Sequence, residues 1–235
     1  SVELGIAITE QEAWTKRGGL PVRIPDFVAE VIERVAFEAR CDKRVDKRSG
    51  VSQRMPISVL EIAISNAERR TAYNGECEVV PRLSDIYAAS PAITGKMELE
   101  YEGELVGGQM VASDAIRRAA DATFSARAGG VGTDNMVMWF DEGNAMQVTD
   151  DAETPALLQG FERVPGLLDL VYLVGLATEG DAPSTVAACE LVLEALVARK
   201  QISRSDAGRY ARAPVAERRR PGGGGQDLFG GGAIT

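Results

Sequence analysis

A mainly α fold is predicted from three observations. Apolar residues recur at helical spacing through most of the chain, as in Phe27, Val28, Val31, Ile32, Val35 and Ala39. Helix punctuation brackets these stripes, with Pro25, Ser52 and Ser84 ahead of them and Gly75 and Gly95 behind. Strand-like patterning is confined to two short stretches, near the start and around residues 136–148.

Taken in order, Val2, Leu4, Ile6 and Ile8 alternate like a short strand. Thr9-Glu10-Gln11-Glu12 then reads as a capping box into a brief helix that ends at Gly18-Gly19. A strong helix is predicted over residues 25–41, with Pro25 at its first position, followed by a charged loop over 42–48 closed by Ser49-Gly50. The next helix begins at Ser52 as N-cap. Pro56 falls in its first turn, where no intrahelical N–H is needed, and Ile57, Leu60, Ile64 and Ala67 form its buried stripe. A third helix is predicted over 84–93, capped by Ser84 with Asp85 in its first turn and with Pro91 near its end. Residues 96–107 are acidic and fit either helix or strand. A fourth helix over 109–127 turns Ile116, Ala119, Ala120 and Phe124 inward. Residues 136–140 and 145–148 flank Asp141-Glu142-Gly143-Asn144 and are predicted to form one small β-hairpin. Helices over 154–164, 165–177 and 184–200 complete the fold, and the Arg- and Gly-rich residues 213–235 are predicted to be a disordered tail.

Composition narrows the functional classes. The chain has 235 residues, 45% hydrophobic and 26% charged, enough apolar material for a sizeable core. Its formal net charge of -9 argues against a general nucleic-acid binder, although basic runs occur near Arg40–Arg48 and Arg218–Arg220. The longest apolar run, residues 164–177, is broken by Gly166, Asp169 and Gly175, so it predicts a buried helix and no membrane span. Three widely spaced cysteines, Cys41, Cys77 and Cys189, predict neither a disulfide framework nor a zinc site and fit a cytoplasmic protein. With no histidine, the chain cannot supply a histidine triad, an HExxH metal site or imidazole acid–base chemistry. The start at Ser1, within a polar–apolar pattern, suggests a piece of a longer protein or a processed form.

The most informative segment is Arg48-Ser49-Gly50-Val51-Ser52-Gln53-Arg54-Met55. It reads as a tight turn that delivers Arg54 to the start of a helix, where free N–H donors and the helix dipole already favour anions. Arg54 there either reaches the terminal phosphates of a nucleotide held by another domain or pairs with a nearby acid. No Gly-x-x-x-x-Gly-Lys-Ser/Thr run and no acidic strand end for magnesium occur in the chain.

The run from Ile24 to Ala67 resembles the region after the ATPase core in AAA+ proteins, most closely the magnesium-chelatase I-subunit and MoxR-like clade. The resemblance rests on Glu38-Ala39-Arg40, Val45-Asp46, Arg48 to Arg54 and Ser65 to Arg70. It extends through Arg82 to Tyr87, Pro91 to Lys96 and Glu98 to Glu104, and weakens after Arg127. In that clade a Gly-x-Ser-x-Arg element opens a helix of the α-helical lid, and its arginine is the sensor-2 residue. The matching positions here are Gly50, Ser52 and Arg54, with Arg48 as a second basic candidate. The resemblance implies a linker over 1–22, a lid-like domain over 23–100 and a further helical region over 101–212. It also implies ATP and Mg2+ held by a core outside this chain, a homo-oligomeric ring (commonly a hexamer) and a partner with a von Willebrand A domain. The Walker A lysine, Walker B carboxylates, sensor 1 and arginine finger have no matching positions, so the chain alone is expected not to hydrolyse ATP. The implied work is remodelling of a client protein or magnesium insertion into a porphyrin.

Other candidates have plainer readings. Lys43, Arg44 and Lys47 form an interface patch or a solvated face. Glu98, Glu100, Glu102 and Glu104 would share one face of a strand, engaging a cation or keeping an edge soluble. Tyr87, Trp139 and Phe140 are expected in the core or an interface, Trp14 packing the linker against the missing core, and Cys41 inert. The competing function is a non-enzymatic helical protein-interaction module, using the acidic face and the helix around Leu191–Val197.

Overall fold

The longest apolar stripes become three helices that meet at the centre of the protein. The structure, a computed structural model, describes residues 1–48 and 50–214. Its elements begin with α1 (Val2–Glu12), α2 (Asp26–Cys41), α3 (Met55–Asn74), α4 (Leu83–Ala88) and α5 (Ser90–Thr94). They continue with α6 (Tyr101–Val106), α7 (Gly108–Ala128), α8 (Asp134–Asp141), β1 (Met146–Gln147) and α9 (Thr154–Glu162). The last are α10 (Leu167–Leu173), α11 (Ala182–Ala198), β2 (Ile202–Arg204) and β3 (Arg209–Arg212).

Helix α2 begins where Pro25 O accepts the N–H groups of Val28 and Ala29 at 2.8 and 3.2 Å. Lys47 closes its far end, with Nζ donating to the Arg40 and Asp42 carbonyls at 2.6 and 3.0 Å, which suits the negative end of the helix dipole. Helix α7 buries Ala112, Ala115, Ala119 and Ala120 beside Ile116 and Phe124. Those small side chains let it lie between α2 and α11, its two main partners. Helix α11 is buried at every position from Ser184 to Val197, as a helix apolar on all sides must be. Burying each of Leu191, Leu193 and Leu196 contributes about 1.5–3 kcal/mol. The core is continuous across residue 100, running from Ala13 to Tyr210. The strands form an antiparallel sheet in the order β1-β3-β2, with Met146 opposite Tyr210 and Ile202 opposite Arg212. At the β2–β3 turn Gly208 has φ +75°, and a Cβ there would run into the Val148 carbonyl oxygen, so only glycine fits.

The mainly α class stands, and several local expectations are corrected. Residues 2–12 form a helix instead of a strand. Val2, Ile6, Thr9 and Ala13 fall on one helical face, and the Ser1 hydroxyl accepts from the Leu4 N–H at 3.4 Å. The helix expected from Ser52 starts at Met55, because the chain first makes a turn in which Ser52 O accepts from Met55 N–H. The helix expected over 84–93 is two helices broken at Ala89. Pro91, lacking an N–H, restarts the second, and Arg82 replaces Ser84 as N-cap. The acids of 98–104 do not share a strand face, since Glu102 and Glu104 lie in α6. The expected hairpin over 136–148 is absent. Met136 and Phe140 are buried one turn apart in α8, and β1 pairs instead with β3. A hairpin the sequence reading missed, β2–β3, follows α11. Ala213, placed in the expected tail, is buried; residues 215–235 lie outside the described residues.

A charged seam joins α2 to α7. Asp42 accepts from Arg44 N, Nε and Nη2 at 2.9, 2.9 and 2.7 Å and from Arg118 Nη2 at 2.8 Å. The Arg44 guanidinium above all holds this carboxyl well below the usual carboxylate range. A depressed pKa contributes stability that is full above the unfolded value of about 3.9 and is lost as pH falls toward the folded one. Asp42→Asn is therefore expected to cost about 2–3 kcal/mol at pH 7 and much less near pH 2. Urea unfolding at both pH values measures this, and an equal loss at both would refute it.

Candidate functional site

Arg48, Gly50, Ser52 and Arg54 lie together on the loop between α2 and α3. Two antiparallel bridges pin the loop, Val45 to Leu99 and Val51 to Met97, and Ser52 N–H donates to Lys96 O at 3.0 Å. Gly50 takes φ +67°, a left-handed conformation that favours glycine. The Ser52 hydroxyl accepts from Arg54 N–H at 3.2 Å, fixing the backbone just before the 20-residue α3. Arg54 is its N-cap residue and is exposed, and its guanidinium makes no ion pair with a described residue. Arg48 is exposed too, its N–H held by Asp46 Oδ1 at 2.5 Å. Arg44 and Lys47 are not part of a free patch, because the seam and the α2 cap use them.

A second cluster, which the sequence reading missed, lies in the core. Arg70 Nη1 donates to both Asp85 oxygens at 2.6 and 2.7 Å, and Nη2 to Val80 O at 2.8 Å. Asp85 also accepts from Asn66 Nδ2 at 2.6 Å and from Arg82 N–H at 2.9 Å. Arg82 stands 3.1 Å from Glu190 and donates to the Thr149 and Ala152 carbonyls, while Ser84 N–H donates to Glu190 at 2.8 Å. One turn along α11, Glu194 accepts from the Tyr87 hydroxyl at 2.7 Å and the Tyr210 hydroxyl at 2.5 Å. Arg70, Arg82, Asp85, Glu190 and Glu194 are each at most 3% exposed.

Burial pushes Tyr87 and Tyr210 well above the ordinary phenol value, and Glu194 reinforces the shift, so both stay protonated and donate. Burial lowers Arg82 and raises Glu190. For Arg70 burial is outweighed by Asp85, and the net shift is upward. Arg70 with Asp85 and Arg82 with Glu190 thus neutralise one another out of reach of solvent, while Glu194 has Arg204 at 3.0 Å. They position α3, α4 and α11, and they offer no exposed nucleophile or base. Among the described residues, no group of three or more Cys, Asp or Glu is placed to hold a metal ion.

No family model, no curated protein and no solved structure matches the chain. What can be said of its chemistry therefore rests on its own residues.

Cys41 and Cys77 are exposed, while burial raises the Cys189 thiol well above its ordinary value. Phe140 is in the core and Trp139 packs edge-on against it, with ring centroids 5.0 Å apart. Trp14 is 64% exposed under the Arg17 guanidinium, and Arg17 itself is tied to α3 through Ser65, Glu68 and the Glu61 carbonyl. The helix around Leu191–Val197, considered above as a binding surface, lies inside the core and offers none. No helix among the described residues is long and apolar enough to cross a membrane. The missed cluster did leave a signal: Glu190 and Glu194 are acids one turn apart in a long, largely apolar helix, where a charge requires a partner.

Proposed function

We propose that this chain is the lid and following helical region of an AAA+ ATPase of the magnesium-chelatase I-subunit and MoxR-like kind. In this reading a core outside the chain holds ATP and Mg2+. Arg54 acts as the sensor-2 arginine on the terminal phosphates, Gly50 and Ser52 shape the turn that carries it, and Arg48 adds a second positive charge. A ring of identical subunits and a von Willebrand A domain partner would turn hydrolysis into remodelling or magnesium insertion. One observation supports the reading most directly. An exposed arginine with no ion pair among the described residues stands at the electropositive start of a 20-residue helix, in a turn held by glycine and serine.

The test is ATP hydrolysis by the full-length parent, wild type and Arg54→Ala. Losing one guanidinium that stabilises transition-state charge is expected to reduce kcat about 100- to 1000-fold while the fold survives. Unchanged hydrolysis and assembly in Arg54→Ala would remove the assignment.

A further inference from the structure

A cleft of about 720 Å³ opens between α4, the start of α7 and the β2–β3 turn. Two arginines line it, Arg117 from α7 and Arg204 from β2. The Arg204 side chain is 10% exposed, and its guanidinium carbon sits over the Tyr87 ring, 3.9 Å from the centroid. Its Nε is 3.0 Å from Glu194 Oε1 but out of line for a hydrogen bond, and no described residue accepts from it. Glu194 is already occupied by two tyrosine hydroxyls. Arg117 is in the same condition. Its Nε is buried without an acceptor among the described residues, and its Nη1 is a long 3.7 Å from Asp114, whose other oxygen accepts from Arg44 at 2.9 Å.

Buried donors left without acceptors are rare in native proteins, and both belong to guanidinium groups that line one cleft, where Glu194 balances Arg204 but Arg117 lacks a close counterion. A third observation agrees. The 21-residue α7 follows its N-cap Gly107, which lines the cleft, and no side chain caps its first turn. The cleft's acids are engaged or peripheral: Asp150 pairs with Arg69 at 2.9 Å, and Asp206 is exposed in the hairpin turn. Val106, Met110 and Val148 supply an apolar wall.

We infer that this cleft binds an oxyanion, phosphate or carboxylate, carried on a compact apolar group. The oxyanion is held between Arg117, Arg204 and the first turn of α7, and the apolar group rests on Val106 and Met110. Arg204 is preorganised by its contact with the Tyr87 ring and by Glu194, and its guanidinium is the planar donor that oxyanions select. The site is independent of Arg54 and of the ATPase reading.

The experiment is an NMR titration of the 15N-labelled chain at fixed ionic strength, with phenyl phosphate and benzoate as probes and sodium chloride as control. Saturable shifts of the Arg117 and Arg204 Nε–Hε signals and of the Gln109 amide are expected with at least one probe, and which probe saturates them distinguishes phosphate from carboxylate. Arg117→Gln should weaken that binding about tenfold or more while retaining a dispersed spectrum, as expected for one lost charged hydrogen bond. If Arg117→Gln fails to fold, Ser113→Glu, which sets a like charge in the same cleft, should produce the same weakening. Shifts no larger than those of chloride, or variants that bind as wild type does, would overturn the proposal.

Discussion

Asp85→Ala is expected to destabilise the protein by about 3–5 kcal/mol, because it leaves Arg70 charged, buried and unpaired. Arg70 is 3% exposed, and two of its hydrogen bonds go to Asp85. The same substitution removes the acceptor for Asn66 and for the N–H of Arg82, opening the N-terminus of α4. Small domains are stable by only about 5–15 kcal/mol, so the variant should unfold at a much lower urea midpoint. A change under about 1 kcal/mol would mean that water or a neighbour replaces the carboxylate, and the network would lose its structural role.

The second large effect is at Glu190. Glu190→Ala is expected to cost about 3–5 kcal/mol by stranding Arg82, which is 2% exposed, and by freeing the Ser84 N–H. A combined Arg82→Met and Glu190→Leu variant should recover at least about half of that loss, since desolvating both charges offsets much of their attraction. Equilibrium unfolding of Arg82→Met, of Glu190→Leu and of the double variant gives the coupling directly. Additive losses would show that Arg82 is held mainly by the Thr149 and Ala152 carbonyls, and that Glu190 matters only as a cap for Ser84.

Local periodicity made most helices legible. α2, α3, α7 and α11 carry apolar stripes long enough to leave only their ends in doubt. Errors arose where two periods fit the same residues. Val2, Ile6, Thr9 and Ala13 satisfy a helix, yet Val2, Leu4, Ile6 and Ile8 satisfy a strand, and only packing of α1 on α2 and α3 decides between them. β1 was illegible for a different reason: Met146 pairs with Tyr210, and no turn chemistry near residue 146 can reveal so distant a partner. The Arg54 turn was legible because its glycine, serine and helix start are neighbours in sequence. The cleft and the buried charges were not, because they gather residues from α3, α4, α7, α11 and β2. Glu190 and Glu194 alone announced that something charged had to meet them.

The position of α11 so late in the chain also bears on how the protein is made. Ser84 must wait for Glu190, 106 residues later, and Arg23 for Asp181, 158 residues later. At roughly 5–20 residues per second of synthesis, the first of these gaps leaves the start of α4 without its α11 partner for about 5–20 seconds on the ribosome. During that interval α4 and α7 have only part of a core to fold onto, and their remaining apolar faces are covered when α11 emerges.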